Sequence, residues 1–347
     1  MIGVAMQNEN ALSKDSRFLV AYYTGTGSTA LVAECFYQEF KRRGLCGALQ
    51  NISCTEAPAA SHDLLVVIFP VHASNAPKAV YEWIDALPLA EQLPTVKQLP
   101  AAEQLPSVKQ QSSVKQLPST KQQSFVKQLP STKQQPFVGK TPAVVISVSG
   151  GGEIIPNTAS RVSSIKRLEK KGYAVVHDEM IVMPSNFIVG THELLAAKLF
   201  EVLPNKAERI ITGVLSSVRH RPKPLLVDRV LSLIFELEKP ATSWFGKAIA
   251  VSDSCTGCGR CAKHCPAKNI TLVGGKPAFS NRCHACLGCI YGCPQNALAA
   301  KRFKFIIVKE GYNLERFLQK LPLAEPVDLD ELAKGYVWSG VKKYLQE

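Results

Sequence analysis

Residues 18–36 read FLVAYYTGTGSTALVAECF. An apolar run, 18–23, enters a loop of glycines and hydroxyl residues, and an apolar-periodic stretch follows with Leu31, Val32, Cys35 and Phe36 on one face. This pattern predicts strand, phosphate loop, helix, because backbone amides and the positive end of the helix dipole meet at such a turn. Two readings of the phosphate compete. Gly25-Thr-Gly27-Ser-Thr-Ala30 has the G-x-G-x-x-A spacing of a dinucleotide loop, while Thr24-Gly-Thr26-Gly27-Ser28-Thr29 suits a flavin mononucleotide equally well.

Working outward, strands are expected at 17–23, 47–52, 64–69, 143–148 and 173–183, and helices at 28–43, 77–87, 158–171 and 192–203. The unbroken apolar run 64–69 suits a parallel strand buried on both faces. The expected fold is α/β, a doubly wound five-stranded parallel sheet. Ligands of such sheets sit beyond the carboxyl ends of the strands. Three loops meet there: Thr24–Thr29, Pro70-Val71-His72-Ala73-Ser74-Asn75 and Ser147-Val148-Ser149-Gly150-Gly151-Gly152. A dinucleotide site wants an acid about 20 residues after its glycines. That region reads Gln50-Asn51-Ile52-Ser53, and a Walker lysine is missing too. Four hydroxyls, on Thr24, Thr26, Ser28 and Thr29, favour a terminal dianionic phosphate.

The loop resembles the T-x-T-G-x-T loop of flavodoxins, with Ser28 where many of them carry Asn. The resemblance implies FMN, with Thr24, Thr26, Gly27, Ser28 and Thr29 on its phosphate. It also implies that Pro70, Val71 and His72, with Ser149, Gly150 and Gly151, flank the isoalloxazine. The usual aromatic sandwich is not evident, and His72 is the one ring in its loop.

Eleven cysteines divide sharply: Cys35, Cys46 and Cys54 are scattered, and eight crowd into 255–293. Cys255-Thr-Gly-Cys258-Gly-Arg-Cys261-Ala-Lys-His-Cys265-Pro266 is C-x2-C-x2-C-x3-C-P, and Cys283, Cys286, Cys289, Cys293 and Pro294 repeat it. Tetrahedral zinc needs four ligands and explains neither the triple spacing nor the prolines. Three close thiolates wrap one [4Fe-4S] cube, and the fourth of each run reaches the other cube. Cluster one is therefore expected on Cys255, Cys258, Cys261 and Cys293, and cluster two on Cys283, Cys286, Cys289 and Cys265. Short strands at 248–251 and 297–300 and a hairpin across 270–279 resemble a bacterial two-cluster ferredoxin, a small α+β module, with Ile270 and Ile290 as cluster shields.

From Gln92 the text recurs every six residues, beginning QLPTVK QLPAAE QLPSVK. The leucine of each repeat gives way to Gln111, Gln123 and Gln135, so no aliphatic stack runs through it. Gln, Ser, Lys and Pro dominate, a composition that buries too little to fold. Residues 92–140 hold seven lysines against Glu103 alone, and so supply +6 of the chain's +13. Cluster and phosphate charge would offset most of the rest, so nucleic-acid binding is not expected. No apolar run approaches the roughly 18 residues of a membrane span, and the nearest, 225–237, contains Asp228, Arg229 and Glu236. The first residues lack signal-peptide order, so the expected compartment is cytoplasmic.

The expected organisation is a flavodoxin-like domain over 15–203, interrupted by the 90–140 insert, a helical connector over 204–246, a 2[4Fe-4S] ferredoxin domain over 247–301 and a tail over 302–347 with a short strand at 305–308 and helices at 314–321 and 329–345. That order resembles the flavodoxin–ferredoxin fusion family of anaerobes. It implies electron transfer between two [4Fe-4S] clusters and FMN, as carrier or reductase for a redox partner protein. The alternative is a redox-responsive regulatory or docking protein with an empty flavodoxin-like shell. No Ser/His/Asp or paired-carboxylate constellation points to substrate conversion.

Overall fold

Five strands, β1 (Arg17–Tyr22), β2 (Cys46–Asn51), β3 (Leu64–Pro70), β4 (Pro142–Ser149) and β5 (Ala174–Val182), pair all-parallel in the order β2-β1-β3-β4-β5. This is the doubly wound flavodoxin-like sheet. The computed structural model describes residue 12 and residues 16–53, 61–92, 140–237 and 239–347. The expectation that the repeat does not fold lies outside them, apart from its ends.

Strand side chains alternate between two cores. Phe18, Val20, Leu64, Val66 and Ile68 face one core with α1 (Ser28–Arg42) and α4 (Glu193–Leu215). Leu19, Ala21, Leu65, Val67 and Phe69 face the other with α2 (Lys78–Ala86) and α3 (Val162–Lys170). β4 is buried along its whole length, as a central strand covered on both faces must be.

Helix α4 corrects the expected stop at Leu203, since it runs to Leu215 with Pro204 inside it. Proline costs about 3 kcal/mol or more in a helix interior. The apolar stripe nevertheless continues through Ala207, Ile210, Ile211 and Val214, all buried. Each large apolar side chain buried contributes roughly 1.5–3 kcal/mol, so the stripe outweighs the lost hydrogen bond. Conversely, α3 begins at Val162 rather than 158, because Thr158 bonds the Asp228 carboxylate instead of entering a helix.

Beyond α4 come α5 (Leu226–Leu237) and α6 (Lys239–Lys247), then β6 (Ile249–Val251), α7 (Arg260–Lys263), β7 (Ile270–Val273), β8 (Lys276–Phe279), α8 (Gly288–Tyr291) and β9 (Leu298–Ala300). β6 pairs antiparallel with β9, and β7 with β8 across Gly274-Gly275, both at positive φ. The strand expected over 305–308 is instead a 3-10 turn, Lys304–Ile306. Its backbone serves other segments: Ile188 N donates to Ile306 O, and Val308 N to the Tyr291 hydroxyl.

The tail helices are shorter than expected. α9 is Leu314–Leu318, and the stretch 329–345 splits into α10 (Leu329–Leu332) and α11 (Tyr336–Gln346) at Gly335. Gly335 adopts φ 87°, ψ 170°, a region essentially closed to other residues. The tail returns to the first domain: Tyr312, Phe317, Ala333, Val341 and Tyr344 complete the core beneath α1 and α4.

Candidate redox centres

The two cysteine runs fold as a repeat. Gly259 and Leu287 both take left-handed conformations and open α7 and α8, and Lys268 and Asn296 repeat the left-handed turn after each Cys-Pro. The runs are thus offset by 28 residues in sequence and superposable in backbone conformation. The fourth cysteine of each accepts a backbone N–H from four residues on, Asn269 N to Cys265 Sγ and Ala297 N to Cys293 Sγ, both 3.3 Å.

This folding encloses two cavities. One, of about 360 Å³ including its open mouth, is lined by Cys255, Cys258, Cys261 and Cys293. The other, of about 380 Å³, is lined by Cys265, Cys283, Cys286 and Cys289. Each takes three cysteines from one run and the fourth from the other. Ile270 and Ile290 are buried beside them. Burial pushes the Cys286 thiol up to about 12 and raises Cys289 further. Such thiols ionise when a metal replaces their protons, so the donor set fits iron–sulfur cubes.

At the head of the sheet the phosphate-loop residues are engaged by the chain itself. Thr24 Oγ1 accepts from Gly27 N (3.2 Å), and Asn186 Nδ2 donates to Thr26 Oγ1 (2.9 Å). The Ser28 hydroxyl bonds the Tyr312 hydroxyl. Ser28 and Thr29 are buried, and Gly27 takes φ 104° as the N-cap of α1. A Cβ on Gly27 would stand 2.6 Å from Leu314 Cδ1, so Leu314 rests on the loop. The residue types fit a phosphate, and the tail packs on the loop that presents them, Tyr312 against Ser28 and Leu314 against Gly27.

The other two loops are also covered. Val71 N bonds Val148 O, and His72 and Asn75 close a tight turn whose inner residues, Ala73 and Ser74, are at positive φ. Pro70 ends β3. Burial, with the neighbouring His284, pushes His72 down to about 4, so its imidazole is neutral at neutral pH. Ser149 Oγ accepts from Gly151 N, Gly150 packs on Ser185, and Gly152 lies against Gly340 of α11.

The second cysteine run abuts the first loop directly. A Cβ on Gly25 would lie 2.5 Å from Cys286 Cβ, and one on Gly288 2.5 Å from Gly25 O. Tyr23 Oη bonds His284 Nδ1 at 2.5 Å, and Asn186 Nδ2 reaches the Cys286 carbonyl. Tyr23, Asn186, His284, Tyr312 and Leu314 were absent from the sequence-based set. They stand far apart along the chain, and no motif spacing links them to the loop.

Residues 247–294 match the family described as 4Fe-4S dicluster domain. No curated protein matches the chain. Among solved structures, the chain is similar to a flavodoxin from the domain Archaea (8% identity, 57% of this chain, 98% of the other, TM-score 0.32). It is also similar to Flavodoxin 1 from Bacillus cereus (12%, 57%, 98%, 0.32). A third is general stress protein 14 from Treponema denticola, in complex with FMN (10%, 58%, 99%, 0.32). At such identities no residue role carries over. The sheet order and the dicluster match together describe a chain that joins a flavodoxin-like α/β domain to a 4Fe-4S dicluster domain.

Proposed function

We propose that this protein moves single electrons between two [4Fe-4S] clusters and the Thr24–Thr29 loop, with FMN as the loop's cofactor, in the service of a redox partner protein. Cys255, Cys258, Cys261 and Cys293 hold cluster one. Cys283, Cys286, Cys289 and Cys265 hold cluster two. The observation that carries the reading is the packing of Cys286 on Gly25, which sets the second cluster cavity directly against the loop. The clusters supply one-electron steps, and a flavin, when bound, supplies one- or two-electron chemistry.

The chain's own residues do the rest. Thr26 and Ser28 present hydroxyls at the N-terminus of α1, and Tyr312 and Leu314 guard that position. His284, in the lining of the second cavity, bonds Tyr23 at the end of the first strand, and the neutral His72 neighbours it. Anaerobic titration with FMN tests the reading: cluster-loaded protein takes up about one flavin per chain, and Leu314→Ala binds it more tightly. If neither protein takes up FMN, the second reading holds, in which the loop is a docking platform filled by the chain's own tail. The Ser28–Tyr312 contact favours that second reading.

A further inference from the structure

Helix α5 is turned inside out. Asp228 is fully buried, and its Oδ2 accepts from the Thr158 backbone N–H (2.9 Å) and hydroxyl. Ser232, also buried, donates to Asn75 Oδ1 (2.7 Å), while Asn75 Nδ2 donates to Ser232 O (2.8 Å). The polar side of the helix is therefore bonded into the loops that follow β3 and β4. The apolar side points to solvent: Leu226 is 77% exposed, Val230 58% and Leu233 64%, with Val227 and Ile234 near half. At 3.6 residues per turn these five fall in an arc of about 120°, opposite Asp228 and Ser232. Trp244, on the adjoining α6, is 74% exposed.

Because the polar side is already bonded into the fold through Asp228 Oδ2 and Ser232, the exposed stripe is built by the fold rather than left over from it. Its surroundings are basic. Arg219, Lys223, Arg229 and Lys247 are exposed, whereas Asp228 is inward. A helix of 12 residues is about 18 Å long, and its stripe offers on the order of a few hundred Å², short of the roughly 800 Å² per partner of a stable protein interface. Convex aliphatic side chains, an exposed tryptophan and flanking cations match an anionic lipid surface.

We infer that α5 and Trp244 form a peripheral membrane contact, which lays the flavodoxin-like domain on anionic bilayers without spanning them. The test uses the full cluster-loaded chain and vesicles of phosphatidylcholine with or without phosphatidylglycerol. Cosedimentation with the phosphatidylglycerol vesicles is expected, weakening with salt, and far less with phosphatidylcholine alone. Leu226→Glu/Leu233→Glu should weaken the binding by on the order of a hundredfold, with iron content and circular dichroism unchanged. Arg229→Glu, which leaves the apolar stripe intact, should weaken it less. Absence of binding, or binding indifferent to Leu226→Glu/Leu233→Glu, overturns the inference. So does light scattering that shows a dimer abolished by the same variant without lipid binding, which would make the occupant a second copy.

Discussion

Two residues with no side chain set the distance between the domains. Gly25 and Gly288 pack so closely that a methyl on either meets Cys286 Cβ or the Gly25 carbonyl at 2.5 Å. Gly25→Ala is expected to push the second cysteine run off the loop. The variant should lose or shift the spectroscopic signal of one cluster while the other stays unchanged. Deeper in the same domain Arg161, 2% exposed, donates to Asp178 Oδ1 (2.8 Å) and Ser147 Oγ (3.0 Å) and pairs with Glu153. Arg161→Met leaves the buried Asp178 with Arg221 alone, at 3.6 Å. Breaking such a buried pair costs about 3–5 kcal/mol, read as a lower denaturation midpoint. Glu179 makes stability acid-sensitive. Burial raises its carboxyl, but the hydrogen bonds and charges of His177 and Arg209 outweigh that and hold it at about 2. Its contribution is complete above the unfolded carboxylate pKa of about 4.3 and disappears as pH falls toward 2. Glu179→Gln should lower stability near neutrality, where that contribution is complete, and flatten the stability profile in the acid window.

At the scale of elements, Gly335 separates α10 from α11 in a conformation that other residues enter at a cost of roughly 1–3 kcal/mol. Gly335→Ala is therefore expected to lower the melting temperature and to loosen α11 from Gly152 and Tyr344 from the core. The sequence showed a single amphipathic run there, since periodicity registers apolar spacing and is blind to a backbone turned by φ. Pro204 misled in the opposite sense: a local breaker was overridden by a stripe whose burial only the folded sheet provides. Strands β1, β3 and β4 were legible to within a residue or so because each is largely an apolar run that the sheet buries. The eight cysteines were legible because their spacing is itself local. Tyr312 and Asn186 were not, because Tyr312 reaches Ser28 through a tail that closes the chain back on its first loop, and Asn186 reaches Thr26 from the loop after β5.

For the whole molecule, the consequence is an order of cofactor cavities: Cys258 is exposed at the outer one, and Cys286 is pressed on the loop at the inner one. No helix among the described residues is long and apolar enough to cross a membrane. The central claim is that each cluster draws its fourth ligand from the opposite run. The direct measurement is iron and sulfide content with low-temperature electron paramagnetic resonance, after strict anaerobic reconstitution, on the parent chain and on Cys258→Ala, Cys293→Ala and Cys286→Ala. The parent should hold about eight irons and eight sulfides. Cys258→Ala and Cys293→Ala should perturb the same cluster signal, and Cys286→Ala the other. A zinc-only or four-iron parent, or a Cys293→Ala spectrum that matches Cys286→Ala instead of Cys258→Ala, would contradict the account.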